Sequence, residues 1–136
     1  MPPFNLLTEA RNLPKRHLRQ GSYLYRAGDK CDNNIYIVVE GTLVQIDHKE
    51  GFKFGTDTAP GGLVGDIEVM AGATERLQTW KAKSADVTLA IMDKRAADLV
   101  GSLHPEFFLT LLKSSIDKLN AAERELIEKN SRQISA

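Results

Sequence analysis

The sequence predicts a mainly β domain with flanking α-helices, built as a jelly-roll β-barrel. Its helices are an N-terminal helix, a short helix within the β-region and a long C-terminal helix. Between Tyr23 and Met92, short segments of alternating polarity are separated by glycines, a pattern typical of a jelly roll rather than a parallel sheet. The last third has helical periodicity instead. A length of 136 residues suits one compact domain.

The composition excludes several classes of protein. Hydrophobic residues make up 42% of the chain and charged residues 26%, which are ordinary values for a globular protein. The net charge of zero argues against a nucleic-acid binder held by a broad basic field. No apolar run approaches the roughly 20 residues that span a bilayer, and the first residues do not resemble a signal peptide. A single cysteine, Cys31, fits a reducing compartment, so we expect a cytoplasmic protein.

Residues 1–20 are predicted to form an N-terminal helical segment. Apolar residues recur there at helical spacing (Leu6, Leu7, Ala10 and Leu13), and Pro14 then breaks or restarts the helix. The segment is locally basic (Arg11, Lys15, Arg16, His17 and Arg19). A solvated helical face is the favoured interpretation of this charge, and contact with a membrane surface or a phosphate is the alternative.

Residues 21–92 are predicted to form the barrel. In the stretch from Ile35 to Glu40 the side chains alternate, and Glu40-Gly41 supplies a turn into a return strand at residues 43–47. A further turn is predicted at residues 49–51, followed by a short strand carrying Phe52 and Phe54. Two more strands are predicted around Trp80–Ala82 and over Ala85–Met92, with Trp80 in the core.

Residues 93–136 are predicted to form the C-terminal helices. Asp93 is a plausible N-cap for a short helix, Lys94–Val100, that Gly101 ends. Pro105 suits the first position of a long final helix. Heptad spacing in that helix involves Leu112, Leu119 and Leu126, with Ile116, Glu123 and Asn130 at the alternate positions. We expect its first half to pack on the barrel and its second half on the same helix of a second copy.

The segment from Pro60 to Arg76 is the candidate site. Glycines at positions 61, 62 and 65 allow close approach of the backbone to a ligand, and Gly65 leads into a short helix, Asp66–Met70. The first turn of a helix attracts anions, and the planar donors of Arg76 suit a phosphate. Asp66 could accept from a sugar hydroxyl. The pattern predicts a phosphate-and-sugar pocket.

The chain as a whole resembles the cyclic nucleotide-binding domain, and most closely the sensor domain of the bacterial catabolite activator protein family. The resemblance covers roughly residues 20 to 120. The segments Leu24–Asp29 and Ile35–Gly41 are similar to the family's opening strands. Gly65-Asp66-Ile67 stands at its "GE(L)" signature and Arg76 at its arginine, with the bacterial spacing.

This resemblance implies a regulatory, non-enzymatic sensor of cAMP or cGMP without a metal or other cofactor. The phosphate-binding cassette would span residues 61–78. Backbone amides after Gly65, including that of Ile67, and the Arg76 guanidinium would hold the phosphate, and Asp66 the ribose. The long helix would close over the base, join two subunits and pass on the signal.

The chain departs from the family pattern at four positions. Asp66 replaces a glutamate and is one methylene shorter, and Leu77 could crowd the phosphate. The residues that correspond to the family's base contacts are Ala122 and Glu123, which cannot reproduce those contacts. Two interpretations therefore stay open: a sensor that binds a cyclic nucleotide, or a degenerate pocket in a protein-interaction and dimerisation module.

Other functions are less well supported. A metal-dependent jelly-roll enzyme needs clustered histidines, whereas His17, His48 and His104 lie in three different elements. Cys31 has no histidine beside it that would activate it as a nucleophile. The sequence ends soon after the long helix, without the helix-turn-helix domain of the activator family. We therefore expect no specific DNA binding and an unidentified protein effector, whether the chain stands alone or is a fragment.

Overall fold

The computed structural model describes residues 4–46 and 57–134, and within the last helix it leaves out the side chains of residues 122, 125, 126 and 129–134. The elements in chain order are α1 (Leu6–Ala10), β1 (Lys15–Arg19), β2 (Tyr23–Tyr25), β3 (Ile35–Glu40), β4 (Leu43–Ile46), β5 (Leu63–Val64), α2 (Asp66–Ala71), β6 (Thr79–Ala82), β7 (Asp86–Met92), α3 (Lys94–Leu103) and α4 (Glu106–Ile134).

The strands form two antiparallel sheets, which confirms the predicted mainly β class with flanking helices. One sheet has the order β1-β7-β3-β5 and the other the order β2-β6-β4. Within the described ranges these sheets do not close into a single barrel. Side chains from both sheets share one core, in which Trp80 is fully buried as predicted. The sheets therefore pack face to face.

Strand β3 explains how the helices are attached to the sheets. Tyr36 and Val38 point into the core between the sheets. Ile35 and Ile37 point to the opposite face, into a second core that contains side chains of α1, α3 and α4. Both faces of this strand are buried, so its alternating residues are almost all apolar.

The predicted helical segment at residues 1–20 is wrong beyond Ala10. Helix α1 ends there, and residues 15–19 form the edge strand β1, which pairs with β7 along its whole length. Leu18 is buried opposite Val87, and the other side chains of β1 are exposed or half-buried. Because charged side chains discourage further pairing at a sheet edge, the basic residues here suit an edge strand.

Helix α3 also differs from its prediction. Asp93 caps it as expected, with its carboxylate accepting from the backbone N–H of Ala96 at 2.8 Å. The helix does not end at Gly101 but continues to Leu103. A Cβ at Gly101 would lie 2.4 Å from Cζ of Phe108, so this glycine is needed for the packing of α3 on α4 rather than for a helix end.

Helix α4 begins directly after Pro105, close to the predicted start. Phe107 and Leu111 are buried in the second core, which lies between β3 and the helices. Among the α4 side chains that the structure describes, five apolar ones beyond Phe108 are exposed: Leu109, Leu112, Ile116, Leu119 and Ile127. The first half of the helix therefore packs on the domain as expected, and packing of the second half on a second copy stays a prediction.

Two observations complete the fold. The predicted return strand is observed over Leu43–Ile46, whereas the predicted turn at residues 49–51, the strand with Phe52 and Phe54, and His48 lie outside the described residues. None of the helices in the described ranges is both long enough and apolar enough to cross a membrane.

Candidate functional site

Gly65 joins strand β5 to helix α2 and fixes the start of the candidate site. Its φ is +88°, in the left-handed region that favours glycine. A Cβ at this position would lie 2.9 Å from Nη1 of Arg76 and 2.9 Å from the carbonyl oxygen of Asn34. The backbone of Gly65 therefore lies directly against the arginine, as the spacing of the motif suggested.

Arg76 is buried, and its guanidinium is already paired within the chain. Nη2 donates to Oδ1 of Asp32 at 2.5 Å and to the carbonyl oxygen of Asn34 at 3.0 Å. Nη1 donates to the carbonyl oxygen of Gly65 at 3.4 Å. The guanidinium carbon lies 4.2 Å from the centre of the Tyr25 ring, a cation–π distance.

Glu68 brings a second carboxylate to the same arginine. Its side chain is fully buried, and Oε1 accepts from the backbone N–H groups of Leu77 at 3.1 Å and Gln78 at 3.4 Å. Oε2 lies 3.8 Å from Nη1 of Arg76 and, within the part of the chain described, accepts no hydrogen bond. The Glu68 carboxylate thus lies where the guanidinium and two backbone amides converge.

Asp66 connects the cassette to helix α4. Its carboxylate is fully buried, with Oδ1 2.7 Å from Nζ of Lys118 and Oδ2 accepting from Oγ of Ser115 at 3.1 Å. Lys118 is itself only 8% exposed and also donates to Oγ of Ser114 at 2.7 Å. A buried ion pair therefore holds α2 against the middle of α4.

The electrostatic environment keeps Tyr25 neutral and Arg76 charged. Burial raises the pKa of Tyr25 well above its ordinary value, and the charge of Glu68 raises it further. Within the described ranges the Tyr25 hydroxyl has no hydrogen-bond partner. Burial alone lowers the pKa of Arg76, but the acidic groups around it, Tyr25 first and then Cys31, Asp32 and Glu68, outweigh burial and raise it.

The structure brings together three of the predicted site residues and places Ile67 and Leu77 next to them. Gly65, Asp66 and Arg76 lie in one cluster, and the side chain of Ile67 is buried beside it. Leu77 does not crowd this cluster with its side chain, which is 59% exposed. Its backbone N–H points into the cluster instead, toward Glu68.

The two residues that correspond to the family's base contacts make none of the observed contacts from α4 to the cassette within the described residues. Glu123 is exposed, and the side chain of Ala122 is outside the described set. The observed contacts from α4 to the cassette come from Ser115 and Lys118. Ser115 lies seven residues, or two helical turns, before Ala122.

Sequence reasoning missed Asp32, Glu68, Ser115 and Lys118. The inward face of α4 carries a signal that could have revealed two of them. Its buried residues recur at Phe107, Leu111, Ser115, Lys118 and Ala121, and two of these five are polar. Since a buried lysine requires a paired anion, Lys118 on an otherwise apolar stripe indicates a buried carboxylate on the facing element.

The described histidines and the cysteine that were considered for metal binding or nucleophilic catalysis lie apart from one another. His17 contacts Oγ1 of Thr88 at 3.1 Å, His104 lies 3.2 Å from a carboxylate oxygen of Glu9, and Cys31 is buried. Among residues 4–46 and 57–134, no three histidine, cysteine or acidic side chains are grouped so that they could hold a metal ion.

The structure combines two antiparallel sheets, a short helix that follows Gly65 and a long C-terminal helix packed on the sheets. These features define a class of small regulatory domain. The profile of the family described as the cyclic nucleotide-binding domain matches residues 15–99. The chain belongs to this family. No curated protein matches it.

Solved structures confirm the fold at low sequence identity. A transcriptional regulator from Thermotoga maritima superimposes with a TM-score of 0.73 at 14% identity, covering 94% of this chain and 99% of that one. CLP, the c-di-GMP-responsive global regulator of Xanthomonas campestris, gives 0.68 at 16% identity over 90% of this chain. This chain covers 60% of the length of CLP.

A more distant similarity involves a protein kinase subunit. The regulatory subunit of a cAMP-independent protein kinase A from Trypanosoma brucei gives a TM-score of 0.56 at 23% identity, over 63% of this chain and 30% of that chain.

Proposed function

We propose that the chain is a regulatory domain that passes the state of its cassette, residues 61–78, to helix α4. One observation carries this proposal: the buried Asp66 of the cassette is held by Ser115 and Lys118 of α4. Because an unpaired charge in the interior is costly, α4 cannot leave the cassette unless Asp66 finds another partner. A change at the cassette is thereby a change in the packing of α4.

The ligand class that the family supports is a cyclic nucleotide, cAMP or cGMP, and its proposed location is Gly65–Arg76. Gly65 and Arg76 support this location, since they place a close-approaching backbone beside a buried guanidinium. The similar proteins also show variety, because one is described as responsive to c-di-GMP and another as cAMP-independent. The fold alone therefore does not fix the ligand.

The second candidate function is a regulatory and dimerisation module that binds no nucleotide. The pairing of Arg76 favours it, because a phosphate needs donors that Asp32 and Glu68 already engage. Asp32 is an exchangeable partner, since its side chain is 51% exposed and can turn into solvent. Glu68 is fully buried and does not have that freedom.

Helix α4 supplies a surface for a second copy of the chain. Leu112, Ile116 and Leu119 are each close to half exposed or more, and they lie at heptad-like spacing on one face. Burying a side chain of this kind contributes about 1.5–3 kcal/mol. We propose a homodimer through this face, with an unidentified protein effector reading its arrangement.

Sedimentation equilibrium tests whether the cassette and α4 are coupled. Asp66→Asn removes the charge that holds Lys118, and we expect it to change the self-association constant of the chain at least threefold. Glu75→Gln is the matched control, since it removes an exposed carboxylate from the same cassette. An Asp66→Asn chain that is folded and associates like the unaltered chain would contradict the coupling.

A further inference from the structure

We propose that the carboxylate of Glu68 is a built-in substitute for the ligand's phosphate, which excludes cyclic nucleotides from the cassette of the unaltered chain. This inference rests on the proposed regulatory role of the same cassette, and of the two candidate functions it favours the module that binds no cyclic nucleotide. It makes Glu68, a residue that no sequence motif indicated, the determinant of ligand specificity.

The hydrogen-bond donors around Glu68 carry the argument. A phosphate bound beside Arg76 would use the guanidinium and nearby backbone N–H groups, which is the usual way proteins hold this anion. Glu68 already accepts from the N–H groups of Leu77 and Gln78, and its other oxygen faces the guanidinium at 3.8 Å. One anion therefore occupies the donors that a second anion would need.

Charge repulsion strengthens the exclusion. A cyclic phosphate is a monoanion, and placing it near the buried carboxylate of Glu68 would put two negative charges roughly 4 Å apart away from water. At the effective dielectric constant of protein sites, this repulsion corresponds to an affinity about a thousandfold lower. The Arg76 guanidinium already faces two carboxylates, those of Glu68 and Asp32. Its single positive charge therefore does not neutralise a phosphate as well.

Glu68 also cannot move aside easily. It lies in the first turn of α2, whose helix dipole favours a negative charge, and its side chain is fully buried. Turning it into solvent would leave the half-buried N–H groups of Leu77 and Gln78 without their acceptor, which costs free energy. The cassette is thus filled from within, and α4 stays packed on it without a nucleotide.

Calorimetric titration with cAMP and, separately, cGMP tests this inference on four chains. The unaltered chain and Glu75→Ala, which removes an exposed carboxylate from the same segment, should show no saturable binding up to millimolar nucleotide. Glu68→Ala should bind at least a hundredfold more tightly than the unaltered chain. Glu68→Gln removes the charge, but its amide oxygen still accepts from the N–H groups of Leu77 and Gln78, so we expect a gain of at least tenfold that is smaller than that of Glu68→Ala.

A matched variant shows where the gained ligand binds. Adding Arg76→Gln to Glu68→Ala should abolish the gained binding, because the phosphate then loses its cation. Micromolar binding by the unaltered chain would overturn the inference. So would a folded Glu68→Ala that binds no better than the unaltered chain, and Glu68→Gln decides by the same criterion if Glu68→Ala does not fold. None of these results alters the Asp66→Asn test of the coupling to α4.

Discussion

The carboxylate of Asp66 and the ammonium of Lys118 lie 2.7 Å apart although they are 52 residues apart in the chain, and both groups are buried. Taking two charges out of water is costly, so such a pair adds little stability compared with an apolar contact. Breaking it from one side is far more damaging, since the remaining charge is left buried. The pair therefore fixes the position of α4 on the cassette more than it stabilises the fold.

Removing the cation of this pair should destabilise the fold strongly. Among the described side chains of α4, Lys118→Met leaves the buried Asp66 with Ser115 as its partner. We expect a loss of about 3–5 kcal/mol in the free energy of unfolding, measured by urea denaturation. Lys113→Met, at an exposed position of the same helix, should change it by less than about 0.5 kcal/mol. A loss of under about 1 kcal/mol in Lys118→Met would contradict the pairing.

Gly65 should not tolerate a side chain. Gly65→Ala places a residue with a Cβ at a φ of +88° and presses it against Arg76 and the carbonyl of Asn34. The left-handed backbone alone costs about 1–2 kcal/mol, and the close contacts add to it. Gly72→Ala is the control, because its φ is also positive but no atom lies within 4 Å of the added Cβ. If thermal denaturation shows equal losses of stability in Gly65→Ala and Gly72→Ala, the close contacts of Gly65 with Arg76 and Asn34 contribute nothing.

Tyr25 should make the fold sensitive to alkali. Because its pKa in the folded chain is raised above the ordinary value of 10.0, the unfolded chain loses this proton first as the pH rises. The stability due to the neutral phenol is therefore present below pH 10 and is lost as the pH rises toward the folded-state pKa. Tyr25→Phe should reduce that alkaline loss in denaturation measured from pH 8 to 11.

At pH 7, Tyr25→Phe should leave the free energy of unfolding unchanged or raise it. The Tyr25 hydroxyl is buried without a hydrogen bond within the described ranges, so removing it ends a desolvation cost. Tyr36→Phe is the contrasting variant, since its hydroxyl donates to Oδ2 of Asp32 at 3.2 Å. That variant should lose about 1 kcal/mol. A Tyr25→Phe chain that is less stable at pH 7 than Tyr36→Phe would contradict this assignment.

Leu119 should contribute to self-association. It is 55% exposed on the apolar face of α4, and Leu119→Asp places a charge there. We expect the association constant from sedimentation to fall at least tenfold, the equivalent of about 1.4 kcal/mol. Asn120→Asp adds the same charge at the next exposed position and should have little effect. An unchanged association constant in Leu119→Asp would contradict the proposed homodimer interface through α4.

The sequence predicted the parts of the fold in which local pattern and final environment agree. The alternation in β3, the cap at Asp93 and the core position of Trp80 were all readable because each depends on near neighbours or on burial. Strand β1 was misread because its structure is decided by pairing with β7, about 70 residues further along the chain. Pairing of this kind overrides local periodicity.

The candidate site was predictable only where the backbone determines it. Gly65 and Arg76 were predicted from the glycine-led turn and from their match to the family's motif and its spacing. The role of Lys118 was not, because its partner Asp66 lies 52 residues away, and the role of Glu68 was not, because it depends on how the cassette folds back on itself. A glutamate in the first turn of a helix is ordinary on a surface, and its burial 3.8 Å from Arg76 is the observation on which its proposed role rests.

Hydrogen exchange along α4 is the measurement that tests the coupling most directly. In Asp66→Asn, we predict that the backbone amides of residues 111–121 exchange at least tenfold faster than in the unaltered chain. The amides of β3 and β7 should gain less than those of α4, and the control Glu75→Gln should match the unaltered chain throughout. Unchanged exchange in α4, or an equal increase in α4, β3 and β7, would contradict the claim that Asp66 holds this helix.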